Sequence, residues 1–145
     1  VIDTGTAAML EPYEHSSERG GTRLTAEQME QLIAELDRRG WQVMTHAVGD
    51  AAIRQTLDAY EATAAAPRPT EESRRHRVEH LDALDPADVP RFAELGVVAS
   101  VQPVQGTAGA DSSRLEHVGP ERAARGWMSA SLLKSGAPLA FGSDW

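Results

Sequence analysis

No cysteine occurs among the 145 residues, so disulfides, thiolate metal sites and a cysteine nucleophile are excluded, and any metal must bind nitrogen and oxygen. Aromatics are scarce, at three Trp, two Tyr and two Phe, so aliphatic side chains must supply most of a core drawn from 41% hydrophobic residues. That length and composition suit one core. Positive charge is also short. With 14 basic against 22 acidic residues the net charge is -8, which repels phosphate backbones and anionic lipid surfaces, so neither nucleic acid nor membrane is an expected partner. No apolar run approaches the roughly 20 residues that span a bilayer. The opening Val1-Ile2-Asp3 has no initiator methionine and no basic leader. It reads as the interior of a longer chain, with the cytoplasm as the expected compartment.

What is present is a rhythm of alternating elements. Residues 1–24 are turn-rich and read as a long loop. Thr25 and Gln28 then form an N-cap and N3 pair, Met29, Leu32, Ile33 and Leu36 recur at helical spacing, and Gly40 ends the helix predicted for 26–39. Residues 41–47 (WQVMTHA) have strand length, and Asp50 is expected to cap a second helix reaching about Ala65, with Ile53, Leu57 and Tyr60 buried. A proline-broken polar linker, 66–75, leads to a second strand at 76–81. Asp85-Pro86 opens a third helix, properly starting near Asp88 because of Pro90, with Val89, Phe92 and Leu95 facing inward. Residues 97–102 form the third strand, 103–119 a long loop, and a last helix between Pro120 and Ser135 stops at Gly136 before a strand at 138–142.

Helix-length connections suit parallel strands, and two architectures fit: a complete doubly wound sheet, or part of a (β/α)8 barrel. Length favours the part, since a whole barrel takes on the order of 250 residues. The expected fold class is therefore α/β, the C-terminal half of such a barrel, with parallel strands, helices on one side, and residues 1–145 forming one partial domain.

Chemistry-bearing residues fall at strand ends. His46 closes the first strand, His80 the second, and Asp144 follows the fourth, so all three point to the C-terminal rim where parallel α/β folds build their sites. Neutral imidazole and carboxylate are ligand types for zinc or a similar divalent ion, which lowers the pKa of bound water while a nearby carboxylate takes its proton. By strand alternation His80 should share a face with His76 and Val78, leaving Arg77 and Glu79 to form a structural ion pair on the other. Ala140 and Gly142 should line the inside with Asp144, and Leu139 and Phe141 should meet the helices. Gln102 is either a pocket hydrogen-bond donor or a structural amide. His15 and His117 read as solvated loop residues, and His76 lies at the opposite rim. Asp50 reads as an N-cap rather than a catalytic group. Gly142-Ser143-Asp144 lacks the strand-Gly-x-Ser-x-Gly-helix context of a nucleophilic serine.

Three runs carry a resemblance: THAVGDAAIRQTLDAYE at 45–61, HRVEHLDALDPADVPRFAELGVVASVQP at 76–103 and SLLKSGAPLAFGSDW at 131–145, with DTGTAAMLEPY at 3–13 before them. Together they resemble amidohydrolase family 3, which includes N-substituted formamide deformylase-like enzymes of the metal-dependent hydrolase superfamily. The resemblance implies barrel strands 5 to 8, His46 and His80 as metal ligands, and Asp144 as both ligand and catalytic proton carrier. It implies a divalent cofactor, most simply Zn2+, and hydrolysis of C–N bonds in small-molecule amides such as N-formyl or N-acyl compounds. A barrel hydrolase of cyclic amides or esters, and a metal-free doubly wound binding or regulatory module, stand as alternatives. The family's upstream His-x-His pair has no counterpart in this sequence. The segment alone is accordingly expected to be inactive and to self-associate through exposed barrel edges.

Overall fold

The computed structural model describes residues 1–66, 74–107 and 111–144. After a short 3-10 turn at Ile2–Thr4, the order is α1 (Ala26–Arg38), β1 (Met44–Ala47), α2 (Asp50–Ala64), β2 (Arg77–His80), α3 (Val89–Glu94), β3 (Val98–Val101), α4 (Pro103–Thr107), α5 (Asp111–Ala123), α6 (Ser129–Ser135) and β4 (Leu139–Phe141). The four strands form one parallel sheet in the order β1-β2-β3-β4. Sequential order is what a barrel sector requires, whereas a doubly wound sheet reverses about its first strand.

Local chemistry explains most of these elements. The Thr25 hydroxyl accepts from the Gln28 backbone N–H at 3.2 Å while the Gln28 side chain accepts from the Thr25 N–H at 3.0 Å, a complete capping box for α1. The Asp85 carboxylate accepts from the Ala87 N–H at 2.8 Å and opens a 3-10 turn, Pro86–Asp88, that runs into α3 with Pro90 in its first turn. Gly136, at φ 87°, ends α6 in the left-handed conformation that glycine adopts without a Cβ clash.

Two expectations are corrected. The helix N-cap before α2 is Gly49, not Asp50; Asp50 is the first helical residue, and its buried carboxylate accepts from the Leu10 N–H at 2.7 Å, tying the N-terminal segment to α2. The segment 103–119 is not a loop, because α4 and much of α5 occupy it, with α5 broken at Gly119 (φ 72°, ψ 168°). The last helix, expected between Pro120 and Ser135, is α6 at Ser129–Ser135, and it stops at Gly136 as expected. The linker expected at 66–75 falls largely outside the described residues.

Two apolar clusters hold the unit. The larger joins Ile33 of α1, Ile53, Leu57 and Tyr60 of α2, Phe92 of α3 and Leu132 of α6 to Ala47, Val78, Ala99 and Val101 of the sheet. Leu32, predicted in the α1 stripe, is half exposed instead. The smaller cluster joins Ile2, Met9 and Tyr13 of the N-terminal segment to Val48, Ala83 and Val118. It straps residues 1–24 across the C-terminal ends of β1 and β2, where His46 and His80 lie.

Candidate active site

Side-chain alternation decides what faces the helices and what faces away. On β1, Thr45 bonds Tyr60 of α2 and Ala47 joins the helix-side cluster, so His46 and Met44 point to the other face, the interior face of the barrel sector. Pairing in register places Glu79 beside His46 and Arg77 beside Met44, so Arg77 and Glu79 share that interior face. The expectation for β2 was reversed. Val78 packs in the helix-side cluster, and His76 stacks on Tyr60 with ring centroids 4.8 Å apart, so neither faces inward. His80 should have followed them, but its φ of 80° and the 58° of Leu81 place two successive non-glycine residues in left-handed backbone. That local turn takes His80 out of the alternation and brings its ring to His46, with centroids 4.2 Å apart and planes 66° apart.

The two imidazoles differ in setting. His80 is buried and His46 more open. Burial, followed by the neighbouring His80, lowers the His46 pKa, with Arg23 adding to the effect and Asp144 opposing it. Both influences favour the neutral ring, the form with a lone pair to offer a cation. Asp144 follows β4 at φ 67° and accepts from the Gln105 amide of α4 at 3.1 Å. Among the described residues no three His, Asp or Glu side chains gather as a ready cation cage. The structure thus brings His46 and His80 together and sets Asp144 against Gln105 on the same rim.

Gln102 is buried, and its amide donates to the Glu79 carboxylate at 3.3 Å while its carbonyl oxygen has no partner among the described residues. Glu79 also accepts from Arg77 at 2.5 Å, the ion pair expected from sequence, though on the interior face. Glu79 is the carboxylate that sequence reasoning left outside the site. The only available signal was its place immediately before His80, which strand alternation alone assigns to the wrong side. Ala140 of β4 pairs in register with Ser100 on the interior face, and Leu139 packs on the helix side as expected; Phe141 is exposed instead of meeting the helices.

The remaining histidines separate. His15 is exposed, while His117 lies in α5 rather than a loop, half-buried edge-on to Tyr13 at 6.3 Å. His76 belongs to the opposite rim. Its Nδ1 accepts from the Val43 N–H at 3.1 Å, so Nε2 carries the proton, 3.2 Å from the Asp37 carboxylate that Arg74 also holds at 3.0 Å.

Beside His46 opens a cavity of 840 Å³, roofed by the N-terminal strap. Two glycines let the strap close: a Cβ on Gly49 would stand 2.1 Å from the Ala8 carbonyl oxygen, and one on Gly20 would stand 2.1 Å from that of Ala7. Either contact is far below van der Waals distance.

Comparison with known proteins agrees with this geometry. The profile of the Amidohydrolase family matches residues 1–145. The protein LONG AFTER FAR-RED 3 of Arabidopsis thaliana is 37% identical over 146 residues, covering 99% of this chain and 24% of that protein. A solved metal-dependent hydrolase of Pyrococcus horikoshii superposes with a TM-score of 0.84 at 28% identity, covering 99% of this chain and 28% of its own. A second, from Pyrococcus furiosus, gives a TM-score of 0.82 at the same 28% identity and the same coverage. The chain therefore spans about a quarter of the length of these relatives.

Proposed function

Because this chain belongs to the amidohydrolase family, we propose that it supplies His46, His80 and Asp144 to the active site of a metal-dependent hydrolase that cleaves C–N bonds of small-molecule amides, N-formyl or N-acyl compounds in particular. The observation that carries this reading is the meeting of the His46 and His80 rings, 4.2 Å apart, at the C-terminal rim of a parallel sheet. Two imidazoles and one carboxylate at strand ends of one sheet are a donor set that suits zinc or a similar ion. When bound, such an ion polarises the amide carbonyl and makes water acidic enough to attack it.

The chain's own residues provide the rest. His46 and His80 offer ring nitrogens held by strands rather than by loops. Asp144, on the exposed rim with one oxygen engaged by Gln105, has its other oxygen available to take a proton from the attacking water. As the C–N bond breaks, that proton passes from the carboxyl to the departing nitrogen, which leaves as an amine, and the carboxylate is restored. Gln102 and Glu79, bonded to each other below the rim, hold the interior polar face in one arrangement.

The test is made on the full-length protein carrying this chain. His46→Ala and His80→Ala should each lower bound divalent metal, read by elemental analysis, and abolish amide hydrolysis. Asp144→Asn should cut turnover by about a hundredfold or more. Unchanged hydrolysis in all three variants would overturn the proposal.

A further inference from the structure

Taking a guanidinium out of water is costly, and one arginine among the described residues is buried as a whole: Arg114 of α5, at 4% exposure. Burial lowers its pKa, with Asp82 and Asp3 acting the other way. Its direct partners are a carbonyl and a ring rather than a carboxylate. The Nη2 group donates to the main-chain carbonyl of Asp82, and Cζ lies 4.4 Å from the centre of the Trp127 ring. The chain is shaped to seat it. A Cβ on Gly126 would stand 3.1 Å from Nη2 and 3.2 Å from Cζ, and Trp127 itself holds left-handed backbone at φ 45°.

The carbonyl that Arg114 holds belongs to the turn that sets His80. His80 and Leu81 are the successive left-handed pair, and side-chain-bearing residues keep such backbone only where their surroundings fix it. On one side β1 and the residue after it do so, since the Leu81 and Ala83 N–H groups donate to the Ala47 and Val48 carbonyls at 3.2 and 2.9 Å. From α5 the anchor is Arg114, on the carbonyl of Asp82, the residue between those two. We propose that Arg114, seated on Trp127, is a positioning residue for His80: by holding the Asp82 carbonyl it keeps the turn left-handed and the His80 ring against that of His46. A guanidinium suits the task, because its donors are charged and rigidly arranged and bond a carbonyl more strongly than a neutral donor does. This inference rests on the proposed hydrolase reading only for what the two rings hold; their approach is a property of this chain alone.

The experiment uses the full-length protein and two readings. In metal-free protein with isotope-labelled histidine, the His46 and His80 rings should give a nuclear Overhauser contact that Arg114→Gln weakens or abolishes. Zinc affinity, read by chelator competition, should fall roughly tenfold to a hundredfold in the same variant, the scale of losing the support of a metal-ligating residue. Arg114→Lys, which keeps a charged donor, should restore part of both. Leu132→Ala, a fully buried change in the helix-side core, should lower stability and leave both readings unchanged. Where Arg114→Gln does not fold, Trp127→Leu removes the seat alone and should weaken zinc by about threefold to tenfold. An intact ring contact and zinc affinity in Arg114→Gln, no recovery in Arg114→Lys, an equal loss in Leu132→Ala, or native affinity in Trp127→Leu overturns the inference. A ring contact that depends on Arg114 in a protein that takes neither zinc nor amides supports the positioning role while counting against the hydrolase reading.

Discussion

Replacing Tyr60 by Phe removes one oxygen from the layer between α2 and the sheet, and the structure sets both the cost and its pH dependence. The Tyr60 hydroxyl lies 2.7 Å from the Thr45 hydroxyl, 3.0 Å from the Arg77 carbonyl and 3.3 Å from the Val43 carbonyl. Its single proton goes to the nearer carbonyl, on β2, and its oxygen accepts from Thr45, the residue before His46. One hydroxyl therefore clamps β1, β2 and α2 together. Losing it leaves a buried carbonyl and the Thr45 hydroxyl short of partners, at a cost of about 1–3 kcal/mol. Burial also pushes the Tyr60 pKa from 10.0 up to about 12. The folded value lies above the unfolded one, so the contribution is complete below pH 10 and is lost as pH rises from 10 toward 12. Two pKa units correspond to about 3 kcal/mol. Tyr13, a buried residue of the N-terminal strap, is likewise raised to about 12 and adds a second loss over the same window. Urea unfolding of wild type and Tyr60→Phe at neutral pH and near pH 11 would separate the effects. The variant should be less stable at neutral pH and should show the shallower alkaline decline, that of Tyr13 alone. Equal stability at neutral pH, or identical alkaline slopes, would refute the assignment of the hydroxyl.

Phe92→Ala should cost about 3–5 kcal/mol, because Phe92 is fully buried where α3 meets the sheet, and denaturant titration reads the loss directly. A change below 1 kcal/mol, by that scale, would mean the site collapses freely. Gly49→Ala should displace the N-terminal strap, since the added carbon meets the Ala8 carbonyl at 2.1 Å; limited proteolysis should then cut within residues 1–24, and native-like resistance would count against the close approach.

How far the sequence disclosed this fold depended on how local each signal was. The α1 capping box and the Gly136 stop depend on neighbours within a few residues, and both stand where the sequence placed them. The parallel, sequential sheet followed from element order and connection length. The 103–119 segment was hidden because its glycines and Pro120 read as loop punctuation, although Gly119 merely breaks α5 and Pro120 begins the turn after the break. The β2 face was hidden for a different reason. Alternation assumes extended backbone to the strand end, and His80 and Leu81 leave it, so the rule carried His80 inward only by assigning Val78 and His76 to the wrong face. The Asp50 cap failed because its carboxylate bonds Leu10, a partner forty residues earlier, which no local pattern announces.

The two rims of the sheet also use their polar atoms differently. At the N-terminal rim, His76, Asp37, Arg74 and Tyr60 spend their polar atoms on one another and on strand carbonyls. At the C-terminal rim, Gln102 buries an acceptor without a partner among the described residues, and His80, Leu81 and Asp144 hold left-handed backbone despite their side chains. Each such residue costs on the order of 1–3 kcal/mol, an expense that surrounding structure must offset. The strap cluster of Met9, Tyr13, Val48 and Val118 lies over that rim and supplies the apolar burial that can do so. Three left-handed side-chain-bearing residues and an unused acceptor thus lie at the rim where His46 and His80 meet, against one such residue, Arg75 at φ 48°, at the opposite rim.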